Sequence, residues 1–493
     1  MTSVNGWKMN SAALLLLSAL SAICGHAQTF TTLLNFDGTD GAYPAFMSLV
    51  QGPDGDLYGT TESGGNCASC GTVFRVSETG MLSSHDFCKP LGCIDGSGPS
   101  GGLTLTTNGN FYGTTQSGGS HSTMGGTVFE ITLGGKLTTL YSFCAQENCS
   151  DGEWPLAGVI EGIDGNLYGT TIGPGVGTVF KLGLDGMLAT LYRFGLYDGA
   201  QPRALTQGSD GNLYGTTFAG GTNSCSGGNT CGTVFTITTN GKLTNLHNFD
   251  GNDGAGPVAI IQGTDGNFYG TTSEGGTSNA CNNGGLGCGT VFRMTPGGML
   301  ATLYSFCTQP DCTDGFSPPA GLIQGVDGNF YGTTSGGGNP TCPPYGGCGT
   351  VFEITSEGSF TALHALGSAD GLGPEGGLLE ATNGIFYGTT AAGGNLNCAP
   401  PDGCGTIFSL TTDLAPFVSF VRPYGKVGQT GGILGQGFTG TTSVMLNGVP
   451  ATFTVVSDTF IKATVPVGAT TGYVTVATPT GVLTSNVPFR VIP

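Results

Sequence analysis

The octapeptide DGNFYGTT occupies residues 265–272 and recurs, letter for letter, at residues 327–334. The intervals between copies of its Tyr-Gly-Thr-Thr core run from 46 to 62 residues. A period near 50 that is built from short β-rich segments is typical of a β-propeller. Seven such cores begin at Tyr58, Tyr112, Tyr168, Tyr214, Tyr269, Tyr331 and Tyr387.

Each repeat predicts four strands, because Val, Ile, Phe, Tyr and Thr dominate four short runs between glycine-rich turns. In the sixth repeat these runs are GLIQG (321–325), NFYGTT (329–334), GTVFEIT (349–355) and SFTALHAL (359–366). Asp-Gly or Asn-Gly before the second strand predicts a type I′ hairpin turn. The repeated octapeptide is therefore interpreted as one hairpin turn and the strand that follows it.

The two ends of the repeat region complement each other. The seventh repeat ends after its third strand, GTIFSLT (405–411), and lacks a fourth. The stretch TFTTLLNF (29–36) matches fourth strands such as KLTTLYSF (136–143). We therefore predict an all-β chain in which residues 28–411 form a seven-bladed β-propeller, closed when the N-terminal strand completes the last blade.

Composition changes after this region, because cysteine and the repeat pattern both stop. Residues 412–415 are interpreted as a linker and residues 416–493 as a second domain. Its Pro423, the run GQGF (435–438), the segment 444–451, Val465-Pro466 and the closing FRV (489–491) resemble an IPT/TIG domain. That resemblance implies an immunoglobulin-like β-sandwich that serves as a spacer or an accessory binding module.

The repeats themselves resemble a known family. Their core, GxDGNxYGTT followed by GTVFxIT, is similar to the GloVer tandem repeat of bacterial secreted proteins over about residues 29–411. The resemblance implies export and no known reaction. The pattern also resembles NHL-type and virginiamycin B lyase propellers, but that lyase uses a Glu-x-His arrangement with a metal. No Glu-x-His occurs in this chain, which argues against that activity.

Residues 1–27 read as a secretory signal peptide. Lys8 precedes an apolar run at residues 12–23, and Gly25-His26-Ala27 supplies small residues for cleavage. Lipidation at Cys24 is the alternative. The apolar run is shorter than the roughly 20 residues that span a bilayer, so we predict no transmembrane segment. The signal peptide thus predicts a protein that is secreted or held in the cell envelope. The resemblance to the GloVer repeat implies a bacterial protein, and we expect a monomer.

Charge and cysteine support that compartment. The mature chain keeps 12 basic residues against 32 acidic ones, which argues against nucleic-acid binding. Its even number of cysteines predicts disulfides, with zinc binding as the competing interpretation. Five of the close pairs lie within repeats and three between them. They are Cys67 with Cys70, Cys88 with Cys93, Cys144 with Cys149, Cys225 with Cys231, Cys281 with Cys288, Cys307 with Cys312, Cys342 with Cys348, and Cys398 with Cys404.

Every connection between repeats carries Asp-Gly-x-x-Pro. Seven carboxylates before the innermost strands suggest a ring at the channel mouth that binds a cation such as calcium, or a polyol. The alternative is that each Asp caps its own turn and Pro fixes the start of the strand. The aspartates are Asp40, Asp95, Asp151, Asp198, Asp253, Asp314 and Asp370.

Residues that break the sevenfold pattern are better candidates for ligand binding. Within the two positions before the proline lie Tyr43, Trp154 and Phe316, where other repeats carry mostly small residues. Aromatic faces on a loop are suited to stacking on a ligand, and packing over a neighbouring blade is the alternative.

The sequence contains no catalytic motif that we can assign. His85, His247 and His364 occupy one position of the fourth strand, where other repeats have tyrosine, and are interpreted as structural. We predict no catalytic residue and no cofactor, and a binding protein for glycan or an extracellular protein that uses the disulfide-bearing loop face. The alternatives are a polysaccharide hydrolase or lyase with loop carboxylates, and a structural envelope component.

Overall fold

The computed structural model describes residues 28–46, 48–89, 92–225, 230–281, 286–342, 346–399 and 401–492. These residues form β-strands and two short 3-10 segments, Glu147–Cys149 and Pro310–Cys312. Within the described ranges, no helix is long and apolar enough to cross a membrane. The predicted signal peptide, residues 1–27, lies outside them.

The repeats form seven four-stranded antiparallel sheets, each made of consecutive strands except the last. The first three sheets contain β2 to β13. Sheet 1 is Val50–Gln51, Leu57–Thr61, Thr72–Val76 and Leu82–Asp86; sheet 2 is Thr104–Leu105, Phe111–Thr115, Thr127–Ile131 and Leu137–Ser142; sheet 3 is Ile160–Glu161, Leu167–Thr171, Thr178–Leu182 and Leu188–Arg193.

Sheets 4 to 6 contain β14 to β25 in the same order. Sheet 4 is Ala200–Gln207, Leu213–Ala219, Thr233–Ile237 and Leu243–Asn248; sheet 5 is Ala255–Gln262, Phe268–Glu274, Thr290–Met294 and Leu300–Ser305; sheet 6 is Ile323–Gln324, Phe330–Thr334, Thr350–Ile354 and Phe360–Ala365. The four strands predicted for the sixth repeat are all present.

Sheet 7 joins the two ends of the repeat region. It contains β26 (Leu379–Glu380), β27 (Ile385–Thr390), β28 (Thr406–Thr411) and β1 (Thr29–Asn35). β1 pairs antiparallel with β28, with Thr29 opposite Thr411. The predicted contribution of the N-terminal strand to the last sheet is therefore present.

The predicted type I′ turn is wrong. In the repeat at 263–269, the amide of Gly266 donates to the carbonyl of Gly263, and Gly266 has φ of 85° while Asp265 does not have a positive φ. This geometry is a type I turn followed by a left-handed glycine, the three-residue hairpin loop. Aspartate is used there because its carboxylate accepts the Asn267 amide at 3.0 Å and the Tyr269 hydroxyl at 2.9 Å.

The Tyr-Gly-Thr-Thr core is buried in every sheet. A Cβ on Gly270 would lie 2.6 Å from the Phe292 ring of the neighbouring strand, so only glycine fits. The second threonine, Thr272, shares a hydrogen bond of 2.9 Å with Thr290 on that strand. The same glycine and threonine contacts recur in the other sheets, which explains why the octapeptide is repeated.

The first threonine of each core links one sheet to the next. Thr271 of sheet 5, for example, donates to the carbonyl of Ala320, which precedes the first strand of sheet 6. Thr389 of sheet 7 donates to Pro44, which precedes sheet 1, at 2.7 Å. Equivalent bonds run from Thr60 to Gly101, Thr114 to Ala157, Thr170 to Arg203, Thr216 to Val258 and Thr333 to Gly376.

Residues after 418 form separate sheets around their own apolar cluster. One sheet contains β29 (Ser419–Phe420), β31 (Thr430–Leu434), β35 (Phe460–Thr464) and β34 (Phe453–Ser457). The other contains β33 (Val449–Pro450), β32 (Ser443–Leu446), β36 (Val474–Thr478) and β37 (Gly481–Thr484), and β30 (Tyr424–Lys426) pairs in parallel with β38 (Arg490–Ile492).

Candidate functional site

The disulfide-bearing loops lie at one end of the sheets, opposite the Asp-Gly hairpins. All sixteen cysteines after residue 27 are paired as the spacing predicts, in eight disulfides. Eight disulfides are typical of a protein that folds in an oxidising, extracytoplasmic compartment. Loops held by a rigid scaffold are a common location for binding sites.

Most of these disulfides fasten loops and do not form part of a cavity wall. The bonds join Cys67 to Cys70, Cys88 to Cys93, Cys144 to Cys149, Cys225 to Cys231, Cys281 to Cys288, Cys307 to Cys312, Cys342 to Cys348, and Cys398 to Cys404. Cys231, Cys288 and Cys348 are buried, and Cys93 is half-buried. None of these four lines either of the cavities described below. Sulfur atoms that are bonded to each other are not thiolate ligands, so the zinc interpretation does not describe these pairs.

The seven Asp-Gly-x-x-Pro carboxylates do not face a common opening. Asp151 accepts hydrogen bonds from the Tyr141 hydroxyl and the Ala145 amide, at 2.8 and 2.9 Å. Asp253 pairs with His247 at 2.7 Å. The turn-capping interpretation describes these contacts, and none of the seven lines the two cavities described below. In five of the seven repeats the tyrosine or histidine of the fourth strand is thus the partner of the turn aspartate, a role that the sequence analysis missed.

A cavity of about 750 Å³, here called the vestibule, opens among the loops of sheets 6, 7 and 1. Tyr43, Phe316, Leu372 and Glu375 line it, together with the Cys398–Cys404 disulfide. Two of the three predicted aromatic residues therefore meet in one place. Trp154 does not line the vestibule.

Tyr43 and Glu375 are joined by a hydrogen bond from the Tyr43 hydroxyl to Oε2 of Glu375, at 3.1 Å. Burial raises the pKa of Glu375, the Tyr43 hydroxyl opposes the increase, and repulsion from the Glu62 carboxylate adds to it. Burial also raises the pKa of Glu62. Each of these two carboxyl groups therefore stays protonated to a higher pH than an exposed glutamate does.

A second cavity of about 700 Å³, here called the channel, is lined by residues from all seven repeats. Glu375 and Ser335 line both cavities, so the vestibule and the channel adjoin. Glu62, Arg203 and Phe218 are also on the channel wall. The guanidinium carbon of Arg203 lies 4.6 Å from the centre of the Phe218 ring.

The position before each Asp-Gly-x-x-Pro proline has left-handed backbone in all seven repeats. Glycine occupies three of these positions, but Tyr43 has φ of 59° and Trp154 has φ of 56°. A bulky residue with positive φ is strained, and such strain concentrates at functional sites. Only Tyr43 of these two aromatic residues reaches the vestibule, and Trp154 lies half-buried elsewhere on the same end.

Sequence reasoning missed Glu62, Glu375, Arg203 and Phe218. They stand at two positions that vary in an otherwise constant repeat, directly after Tyr-Gly-Thr-Thr and directly after the Asp-Gly-x-x-Pro proline. Strand alternation places both positions beside the channel. A comparison of the seven repeats at these two positions could have identified the four residues from the sequence.

Comparison with solved structures shows the general fold. A streptogramin B lyase has a TM-score of 0.51 and 16% identity, with 78% of this chain and 97% of that chain covered. A catalytically inactive virginiamycin B lyase from Staphylococcus aureus, solved with quinupristin, has a TM-score of 0.51 and 16% identity, with 78% and 100% covered. At this identity the likeness concerns the propeller-like arrangement of sheets alone. No curated protein matches the sequence.

A sequence family also matches the repeats. The model of the Gloeobacter/Verrucomicrobia repeat matches residues 20–175, 143–306 and 221–449, which together span most of the protein. The match is consistent with the repeated hairpin, core strand and threonine contacts described above. The chain belongs to the Gloeobacter/Verrucomicrobia repeat family.

Proposed function

We propose that this protein is a secreted or envelope-bound binding protein that takes a glycan into the vestibule and channel. The observation that carries the proposal is the convergence of Tyr43, Phe316 and the hydrogen-bonded Glu375 in one asymmetric cavity. Aromatic rings stack on the apolar faces of sugars, and carboxylates accept hydrogen bonds from hydroxyl groups. A cavity of this size suits a small ligand or the end of a chain.

The architecture we propose is a signal peptide (1–27), a closed seven-bladed propeller (28–411), a linker (412–415) and an immunoglobulin-like IPT/TIG domain (416–493). The circuit of threonine hydrogen bonds that returns from Thr389 to Pro44 supports closure. Two sheets of four strands around one apolar cluster support the sandwich. The Asp-Gly-x-x-Pro carboxylates are assigned to turn capping in this proposal, and calcium is not required.

A glycan array of the oxidised mature chain tests the binding function. Phe316→Ala and Tyr43→Ala should each lower binding at least tenfold, because they remove stacking surface from the vestibule. Trp154→Ala is the control, since it removes an aromatic side chain from an equivalent loop outside the vestibule. Loss of binding in the control alone would place the ligand elsewhere on this face. No binding by the unmodified protein would leave a protein partner or an architectural role.

The electrostatic interaction of Glu62 and Glu375 favours a second candidate function, a polysaccharide hydrolase or lyase. A glutamate with raised pKa is suited to act as a general acid, and a neighbouring carboxylate to act as base or nucleophile. Any glycan that binds would then be shortened on incubation. Glu375→Gln and Glu62→Gln should abolish product formation while Glu375→Gln keeps binding within about threefold. Binding with no product in the unmodified protein would exclude this second function.

A further inference from the structure

Among the described residues, Arg203 is the one arginine on the channel wall. It follows the proline of the fourth repeat, and its guanidinium lies over Phe218, the residue after Tyr-Gly-Thr-Thr in the same sheet. No other repeat combines a cation with a ring at these two positions. The remaining pairs are Ala45 with Glu62, Ser100 with Gln116, Leu156 with Ile172, Val258 with Ser273, Pro319 with Ser335, and Glu375 with Ala391.

The Arg203 guanidinium has no polar partner among the described residues. Its Nε is buried and donates to no carbonyl or carboxylate there. Burial lowers the pKa of Arg203, and no carboxylate of the described residues opposes that decrease. Arg75, in contrast, pairs with Asp54 at 3.0 Å and also with Asp56. A half-buried charge that has lost part of its hydration and has no protein partner would be stabilised by an anion on the channel side.

The order of the sheets places Arg203 across the channel from the two glutamates. Glu62 belongs to sheet 1 and Glu375 to the connection into sheet 7, which are neighbours through the Thr389 bond. Arg203 lies in the first strand of sheet 4, three sheets away from either one around the proposed ring. The channel therefore has a cationic side and a carboxyl side. A ligand that bridges them needs one anionic group and several hydroxyl donors.

We infer that Arg203, supported by Phe218, forms an anion subsite that binds the carboxylate of an acidic sugar such as a uronic acid. This inference rests on the proposed glycan function and specifies its ligand class. Planar guanidinium binds carboxylate through two parallel hydrogen bonds, and stacking on Phe218 fixes the orientation of that plane. Sugar hydroxyls would donate to Glu62 and Glu375 on the other side. With a net charge of −19, the protein would favour a ligand with one carboxylate over a polyanion.

The NMR signals of the arginine Nε–Hε groups test the subsite directly. The chain has only six arginines, so the spectrum of the full-length mature protein is small. Arg203→Met identifies the Arg203 signal by its absence, and Arg193→Met, which removes an exposed charge, is the matched control. D-glucuronate should shift the Arg203 signal and D-glucose at equal concentration should not. Acetate tests the carboxylate alone, and should shift the same signal with weaker affinity.

Binding of uronate-containing oligosaccharides should fall at least tenfold in Arg203→Met. It should also be weak in Arg203→Lys, which keeps the positive charge but lacks the planar guanidinium group. Arg193→Met should bind as the unmodified protein does. An Arg203 signal that neither glucuronate nor acetate moves would overturn the subsite, while neutral glycans that still bind would leave the glycan function intact. A shift by both anions with no array binding would support the subsite and remove the glycan function.

Discussion

At the residue scale, one polar network shows how the repeats differ from each other. On the hairpin end, in six of the seven repeats, the backbone amide of the first central residue of the turn donates to a Gln or Glu side chain of the next sheet. The six bonds run from Thr107 to Glu161, Ile163 to Gln207, Ser209 to Gln262, Thr264 to Gln324, Val326 to Glu380 and Thr382 to Gln51. At the seventh junction Pro53 has no N–H to donate, and Leu105 stands where the acceptor would be. Donor and acceptor are thus absent together.

Glu380→Gln should stabilise the protein. Burial raises the pKa of Glu380 to about 8, and its Oε1 is buried without a partner among the described residues. At the equivalent place, the side-chain nitrogen of Gln324 donates to the Gly328 carbonyl at 2.9 Å, and Glu380→Gln would supply that donor. Because the folded pKa is raised, the stability that this group contributes is present below pH 4.5 and is lost as the pH rises through 8.

We therefore expect Glu380→Gln to add about 1–3 kcal/mol to the free energy of unfolding at pH 9 and less at pH 5. Urea unfolding at the two pH values measures it. Glu161→Gln is the control, because Glu161 accepts two bonds from Thr107, at 2.9 and 2.6 Å, and glutamine has one acceptor oxygen. That variant should lose stability. A Glu380→Gln protein that is less stable at both pH values would contradict the argument.

At the element scale, strands were predictable and turns were not. Runs of β-branched and aromatic residues locate the strands of the sixth repeat because burial on both faces of Phe330–Thr334 selects those residues. The predicted hairpin type was wrong because Asp-Gly occurs in both two-residue and three-residue hairpin loops. These loops differ in the backbone conformation of the aspartate, which the sequence does not specify. The partner of β1 was predictable because the repeat count left one strand missing.

Deleting residues 28–35 should destabilise the whole repeat region. The deletion removes β1, exposes the edge of β28 and uncovers Phe408, on which the Phe30 ring stacks at 4.8 Å. An unpaired edge strand also promotes association between chains. The melting temperature should fall by at least about 10 °C, and the truncated protein should aggregate at lower concentration. Thermal unfolding and light scattering measure the two effects.

A synthetic peptide of residues 28–36 should restore most of the lost melting temperature, because it can pair with β28. A peptide with the same composition in scrambled order is the control. Equal melting temperatures for the truncated and full proteins would mean that β1 does not hold the last sheet in place.

At the scale of the whole molecule, the C-terminal sheets pack on the hairpin end of the repeats. Leu434 and Phe460 join the apolar cluster of Tyr58 and Leu105, at the junction where the polar network is interrupted. The Tyr424 hydroxyl donates to the Glu161 carbonyl at 3.0 Å. The sequence predicted a linker and a second domain but not this contact, because nothing in the sequence distinguishes Leu105 from an apolar residue in the core of a strand. In the same way, Arg203 and Glu375 were not predicted as site residues, because they line one channel only when repeats that are far apart in sequence come together.

If that packing couples the two parts, they unfold together. The oxidised full-length mature protein should show one calorimetric transition, and Phe460→Ala should separate it into two, with loss of about 3–5 kcal/mol from the C-terminal part. Val467→Ala, at a side chain that is 87% exposed in the same part, should leave one transition. Ser457 and Thr459 also donate to the Pro53 carbonyl, at 3.2 and 2.8 Å, so Thr459→Val should weaken the coupling less than Phe460→Ala. Two transitions in the unmodified protein would show that the apolar contact at Leu105 is too weak to couple the unfolding of the two parts.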